Sequence, residues 1–533
     1  MLVGYVSDER YVALPDVLVE FSGSLLSEPV VARSTPRGEI FAGIAPGSYE
    51  VTLARAGYGS KRVHINAADR LPHQFRLLTD RLIGYMSPQW SKSGGKSEYR
   101  VHAVEEYRLS LWRYGLRKEF IRLIGWYDEH GPRANMQITP DGDYTQSGVE
   151  WNKIGYGNVQ LAQMLTAPER SGLYYIHAET PSGKFFTFPW VVAPARPSAP
   201  VAVLMSSNTW NAYNNFGGRS NYINPTGLPE TPVVNARQDL GRYRDARPFG
   251  VWSPENDDYL PLSFDRPDPA SHVPEETEVT DPIRGRLACA HAPGEWRLLG
   301  WLEREDFAYD LYADAQLHSG DLPLESYKVL IISVHPEYWT REMFSRVQAW
   351  IQERQGRLMY LGGNGVNCEV TISADGKMRC LSHYPETSPD APDRLESRMH
   401  NTFKSEAELL GVVFTETGIM TAAPYEVIDA SHWVFAGTNL QNGDLFGELS
   451  LHERIPGGAS GHETDKLSPS SPQGTQLLAK GTNPDNGGGE MAYYQTASGG
   501  EVFAVGSISY VSSLFVDSNV SRITANVLSR FLA

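Results

Sequence analysis

An unbroken apolar and β-branched run, Val329-Leu-Ile-Ile-Ser-Val334, stops at His335-Pro-Glu337, and a stretch with helically spaced apolar residues follows from about 341 to 355. A run of this kind is buried on both faces and reads as a strand of a parallel sheet. In such sheets ligands bind beyond the carboxyl ends of the strands. An imidazole and a carboxylate two residues apart therefore stand where these folds place their chemistry. The same position also suits a loop acid that does no more than favour the positive end of the following helix, and position alone leaves both readings open.

At 533 residues the chain is too long for one core, and about two to four domains are expected. Residues 1–78 read as strands: Val17-Leu-Val-Glu-Phe21 and Tyr49-Glu-Val-Thr-Leu53 alternate between turns such as Ser34-Thr-Pro-Arg-Gly38 and Pro46-Gly-Ser48. The order of strands, Thr-x-x-Gly turn and Pro-Gly-x-Tyr resembles the small β-sandwich called the carboxypeptidase regulatory-like domain, which implies a structural or interaction module. Residues 79–196 read as a second β-sandwich, with Tyr107-Arg-Leu-Ser-Leu-Trp112, Tyr174-Tyr-Ile-His177 and Phe185-Phe-Thr-Phe-Pro-Trp-Val-Val192 as strands. Their aromatic side chains suit carbohydrate stacking, and equally the filling of a sandwich core. A proline-spaced linker, Pro194 to Pro200, follows.

Residues 197–533 change character. Ala202-Val-Leu-Met205, Val329-Leu-Ile-Ile-Ser333 and Arg357-Leu-Met-Tyr-Leu361 are short apolar strands with helical patterns among them. The expectation is a doubly wound α/β domain of the flavodoxin or glutamine-amidotransferase type, with a hairpin over 491–505 and a final helix capped by Asp517. Long Pro-, Asp- and Ser-rich insertions at about 223–290 and 465–475 are of a length usually tied to function.

Composition narrows the function classes. A net charge of −16 and a pI near 5.4 argue against a nucleic-acid surface. Three cysteines, Cys289, Cys368 and Cys380, cannot build a disulfide framework, so a reducing, cytoplasmic location is expected. The N-terminus lacks a signal-peptide pattern, and no apolar run reaches the ~20 residues that span a bilayer. None of the cysteines lies in a nucleophile elbow, Ser460 has no preceding apolar strand, and His-Glu-x-x-His is absent. Gly362-Gly-Asn-Gly365 lacks both phosphate-binding spacings, so no nucleotide is expected.

Four loops are expected at the carboxyl edge of the sheet: Asn208-Thr-Trp-Asn-Ala-Tyr-Asn214 with Gly218-Arg-Ser-Asn-Tyr222, His335-Pro-Glu-Tyr-Trp339, Leu361-Gly-Gly-Asn-Gly365 and Gly461-His-Glu-Thr-Asp465. Together these motifs are similar to those of the N,N-dimethylformamidase large-subunit family, and the order of two sandwiches before an α/β domain fits it as well. The resemblance implies an amidohydrolase with one iron, Fe(III), held by two tyrosines and a glutamate. Carried over residue by residue, the metal ligands are Tyr213, Tyr222 and Glu337, with Tyr259 as the alternative to Tyr222. His335, Asn364 and Glu463 match catalytic positions.

Two phenolates and a carboxylate are hard donors that suit ferric iron better than zinc. Only a strongly charged metal holds two phenols ionised at neutral pH. The implied substrate is a small N-substituted amide or formamide, in a pocket rimmed by Trp210, Phe216 and the 223–290 insertion. The implied assembly is a homo-oligomer or a complex with a separate small subunit. The rival expectation is a non-enzymatic protein that binds a carbohydrate or other ligand through its sandwiches beside a catalytically silent α/β domain.

Overall fold

The structure, a computed structural model, describes residues 1–67, 72–127, 139–151, 163–234, 259–282, 290–381, 396–452 and 454–533. Cys289 and parts of the 223–290 insertion (235–258 and 283–289) lie outside the described residues. The chain is rich in β-structure, with several sandwich-like sheets. The first pair is a three-stranded sheet of Glu39–Phe41, Leu2–Ser7 and His73–Arg76 and a four-stranded sheet of Val30–Arg33, Leu18–Ser22, Ser48–Ala54 and Lys61–Asn66. Alternation along these strands sends Val6, Val19, Phe21, Val51, Leu53 and Phe75 into one shared core.

The second pair is a five-stranded and a three-stranded sheet, the former ordered Lys118–Tyr127, Tyr107–Tyr114, Gly172–Glu179, Phe185–Ala193, Trp90–Lys92. Here Tyr85, Tyr99, Tyr107, Tyr174, Phe186, Phe188 and Trp190 are buried together and form the core. These aromatics are spent on packing.

The last and largest sheet has nine strands. Five are parallel, in the order Tyr309–Ala313, Val201–Met205, Val329–Val334, Arg357–Gly362, Glu501–Ala504. Successive side chains of the central strands are buried on opposite faces. Val201, Val203 and Met205 join the core under helices Ala292–Arg304 and Ser518–Leu532, and Ala202 and Leu204 join the core under helix Arg341–Arg354. The expected doubly wound parallel sheet is not the architecture, because Glu490–Gln495, Gln476–Gly481, Tyr425–Val427 and Leu445–Phe446 extend the sheet antiparallel. A parallel neighbour needs a crossover of about a dozen residues or more, usually a helix. The short connections before Glu490 and before Glu501 leave no room for such a crossover and permit only antiparallel return. Among the described residues no helix is long and apolar enough to cross a membrane.

The helix Ser207–Tyr213 leaves the first strand of this sheet and carries a candidate ligand at its end. Its N-cap residue, Ser206, makes no side-chain cap bond, and two buried carboxylates take that role. Glu295 accepts from the Ser206 amide (3.2 Å) and the Trp210 indole (2.7 Å), and Asp314 accepts from the Asn208 amide at 2.9 Å. Negative charge favours a helix N-terminus, but burial works against ionisation and pushes the Asp314 carboxyl from 3.8 up to about 8. Between those values the folded chain holds a proton that the unfolded chain releases, so stability falls as the pH rises through this window. Asp314→Asn removes the slope. Its melting temperature, relative to wild type, is expected to climb toward pH 8 and level off above it. Parallel pH curves for the two proteins would mean that Asp314 ionises as it does in water.

Candidate active site

The loops beyond the carboxyl ends of the parallel strands meet around one carboxylate. Glu337 follows the Val329–Val334 strand, is 1% exposed, and is fixed through its backbone, whose amide donates to Thr209 Oγ1 at 3.1 Å. Asn208 Nδ2 donates to the Tyr338 carbonyl at 3.2 Å, so the Asn208-Thr-Trp and His-Pro-Glu-Tyr motifs lock each other in place.

Tyr213 donates to Glu337 Oε2 at 3.0 Å, and Tyr222 Oη stands 3.0 and 2.8 Å from its two oxygens. The two phenol rings pack with centroids 4.3 Å apart. Tyr338 donates to the Tyr222 oxygen at 2.8 Å. His335 Nε2 lies 3.2 Å from both Glu337 Oε2 and Glu463 Oε2, an ion-pair position without an in-line hydrogen bond to either. Asn364 Nδ2 donates to Glu463 Oε2 at 2.8 Å. All six residues singled out as ligands or catalytic groups are thus brought into one buried cluster. Tyr259 is buried with Tyr213, Tyr222 and Tyr338 in the same wall.

The electrostatics are those of crowded acids. Burial raises the Tyr222 phenol well above its ordinary range, and the charge of Glu337 raises it further. Burial opposes a charge on His335, yet Glu337 and Glu463 together bring its pKa up to about 9. Arg398 Nη1 adds a positive charge 3.9 Å from Glu337 Oε1 and donates to Cys368 Sγ at 3.2 Å.

Among the described residues no group of three or more His, Cys, Asp or Glu side chains has the arrangement of a metal site. A metal here must use the phenols. The Tyr213 and Tyr222 oxygens stand 3.0 and 2.8 Å from the same Glu337 oxygen, so three hard oxygen donors are gathered at one point. The donor set fits a small, hard, highly charged cation.

Other groups hold these residues and were not singled out from sequence. Arg266, fully buried, donates to the carbonyls of Asn211 (3.0 Å), Asn214 (2.9 Å) and Phe216 (2.7 Å), and so sets the turn between Tyr213 and Tyr222. Nothing local in the sequence marks it. Tyr338 and Asp465 lie inside motifs quoted above and were legible in principle. Asp465 accepts from the Asn364 amide at 2.8 Å and from Tyr360 at 2.6 Å, which holds Asn364 at a φ of 48°. A buried pair, His291 Nδ1 and Asp268 Oδ2 at 2.7 Å, borders the Tyr213 ring.

Trp210 and Phe216 do not rim the site. Trp210 turns into the sheet core, where its indole N–H meets Glu295, and Phe216 packs against Tyr144 and Trp151 of the second sandwich.

With this geometry in view, the sequence places the chain in a family. It belongs to the family described as N,N-dimethylformamidase beta subunit-like, C-terminal, which matches residues 119–522. It is 28% identical over 287 residues to the N,N-dimethylformamidase beta subunit of Alcaligenes sp, and 27% identical over 287 residues to that of Paracoccus aminophilus. Each alignment covers 45% of this chain and 37% of the relative, so the chain spans little more than a third of the curated relatives it matches. Among solved structures, the Bacillus anthracis TIE protein aligns at 10% identity and a TM-score of 0.13, over 38% of this chain and 36% of its own. The Bacteroides ovatus glucan-utilization protein SGBP-B aligns at 9% and 0.14, over 36% and 46%. No shared architecture follows from scores of that size.

Arg266 supplies a test of how the tyrosines are placed. Arg266→Lys keeps the charge but loses the planar fork, leaving buried carbonyls unpaired. It is expected to lower stability by about 2–4 kcal/mol, read from the urea midpoint. An unchanged midpoint would mean that those carbonyls find other partners.

Proposed function

We propose that the chain hydrolyses the C–N bond of a small N-substituted amide or formamide, using one iron, Fe(III), held by Tyr213, Tyr222 and Glu337. The observation that carries this is the gathering of two phenol oxygens on one buried carboxylate, 2.8–3.0 Å from it, at the carboxyl end of a parallel strand. Membership of the family and the printed names of the two bacterial relatives support the hydrolase class and the amide substrate. Tyr222 is preferred to Tyr259 as second ligand because its oxygen stands against Glu337.

When bound, the ion supplies Lewis acidity toward the amide carbonyl and makes water a better nucleophile near neutral pH. The remaining work falls to the chain. Glu463 accepts the proton of the attacking water and returns it to the departing amine nitrogen, which an amide leaving group requires. His335, protonated between two carboxylates, offsets negative charge growing on the carbonyl oxygen, and the second N–H of Asn364 donates to the same oxygen. Burial of the whole cluster excludes bulk water and strengthens these interactions. Because the relatives are named as beta subunits, we also propose that the chain assembles, either with a further subunit or with copies of itself.

Metal analysis and visible absorption test the reading first. Protein from iron-supplemented expression is expected to hold about one iron per chain and to show a phenolate-to-iron charge-transfer band, lost in Tyr213→Phe and Tyr222→Phe. A colourless, iron-free protein would return the chain to the ligand-binding reading. Zinc in place of iron would leave a hydrolase without the two-tyrosine centre.

Glu463→Gln separates proton transfer from metal binding. It is expected to keep the iron while kcat falls by about 10²- to 10³-fold. Full activity in that variant would remove Glu463 from the mechanism.

A further inference from the structure

The turn that carries Tyr222 is fastened from outside its own domain. Upstream of Tyr222, the Gly217 amide donates to the Glu9 carbonyl at 2.7 Å, and Arg76 Nη2 donates to the Gly217 carbonyl at 3.0 Å. Downstream, Tyr11 donates to the Pro229 carbonyl at 3.0 Å. The Val233 amide then donates to the Tyr11 carbonyl (3.0 Å), and the Ala13 amide to the Val233 carbonyl (2.8 Å). The N-terminal sandwich therefore grips the segment on both sides of the ligand.

The fit is close. Gly218 has a φ of 87°, and a Cβ there would stand 2.5 Å from Tyr11 Cβ, so only glycine permits the approach. Arg76 is fully buried on the strand His73–Arg76 and uses its fork four ways: to the Asp8 carbonyl (3.1 and 3.0 Å), to the Gly142 carbonyl (2.8 Å), to the Tyr144 hydroxyl (3.3 Å) and to Gly217. Its guanidinium lies over the rings of Tyr11 and Tyr144, with centroids at 5.0 and 4.4 Å. A guanidinium so surrounded has few alternative rotamers, and the carbonyls it satisfies have no water to turn to.

We propose that the N-terminal sandwich is a working part of the metal site. In this arrangement Arg76 is a positioning residue that sets Tyr222 through Gly217. The residues involved, Glu9, Tyr11 and Arg76, precede the family match at 119–522, so this clasp is a feature of this chain that the family assignment does not supply. The inference rests on the iron reading above and deepens it, since a ligand loop held from two sides keeps its phenol in place before the metal arrives.

The full-length chain is tested in four forms: wild type, Arg76→Gln, Arg76→Lys and Val51→Ala. The last destabilises the same sandwich in its core, away from the clasp. Iron affinity and the charge-transfer band are measured on the folded fraction of each. Arg76→Gln is expected to bind iron about tenfold or more weakly with a shifted or lost band, Arg76→Lys to fall between, and Val51→Ala to match wild type despite a lower melting temperature.

Wild-type affinity and spectrum in Arg76→Gln would overturn the inference and leave the iron reading standing. Hydrogen exchange over residues 217–224 reads the clasp whether or not iron binds. Exchange faster in Arg76→Gln than in Val51→Ala supports it, and equal exchange overturns it. An iron-free wild type with a responsive loop would sink the metal reading while keeping the clasp.

Discussion

Everything at the carboxyl edge of the large sheet is arranged around the cost of burying the Glu337 carboxylate. An ionised carboxyl taken out of water costs several kcal/mol unless it is paired and hydrogen-bonded. Glu337 answers that cost with phenol donors from Tyr213 and Tyr222, the imidazole of His335 and the more distant guanidinium of Arg398. Each partner comes from a different segment, so the carboxylate fixes where four stretches of chain must meet. The constraint runs both ways: phenols buried beside a negative charge hold their protons tightly, as Tyr222 does. Under the iron reading, a multiply charged cation would have to displace these phenol protons.

Placing the phenols is a problem of irregular backbone. The segment between Tyr213 and Tyr222 forms neither helix nor strand, yet it is buried almost throughout, so its peptide groups need partners. Two buried arginines supply some of them, and a third ties the turn to its surroundings. Arg266 donates to carbonyls on the inner side of the turn, and Arg76 reaches in from the N-terminal sandwich. Arg219 reaches outward from the turn itself to the carbonyls of Leu260 and Pro261 and to Asp143. Five fixed donors per guanidinium make arginine the economical choice for satisfying several carbonyls at once.

This division explains what the sequence could and could not reveal. The Val329–Val334 strand, the helix after it and the loops bearing Glu337, Asn364 and Glu463 follow from short-range pattern, because apolar runs and their endings encode strand ends locally. Of the antiparallel half of the sheet, the hairpin over 491–505 was legible, whereas Tyr425–Val427 and Leu445–Phe446 are three and two residues long, too short for alternation to declare a strand. Arg76 and Arg266 were invisible for a different reason. Apart from the Ser263 carbonyl beside Arg266, the backbone carbonyls they meet lie 47 to 141 positions away along the chain, and a carbonyl has no residue identity for a motif to record. The misplacement of Trp210 and Phe216 has the same root. Both sit near Tyr213 in sequence, but helix phase and turn direction send them into two different cores.

Charge balance bears on how the proposed centre would operate. As it stands, the cluster sets the carboxylates Glu337 and Glu463 against His335 and Arg398, with the phenols neutral, so the buried charges nearly cancel. A trivalent cation that displaces two phenol protons leaves the cluster one charge more positive. In a site that excludes water, that surplus must be met by a nearby anion or by electron density drawn from a bound carbonyl. Glu463 is the acid placed to respond. It touches both His335 and Asn364, the two donors proposed to meet the carbonyl oxygen, and it is not itself among the proposed ligands. The proposed ligand Glu337 and the proposed base Glu463 share His335, which stands 3.2 Å from each, so a change of charge at one would be felt at the other.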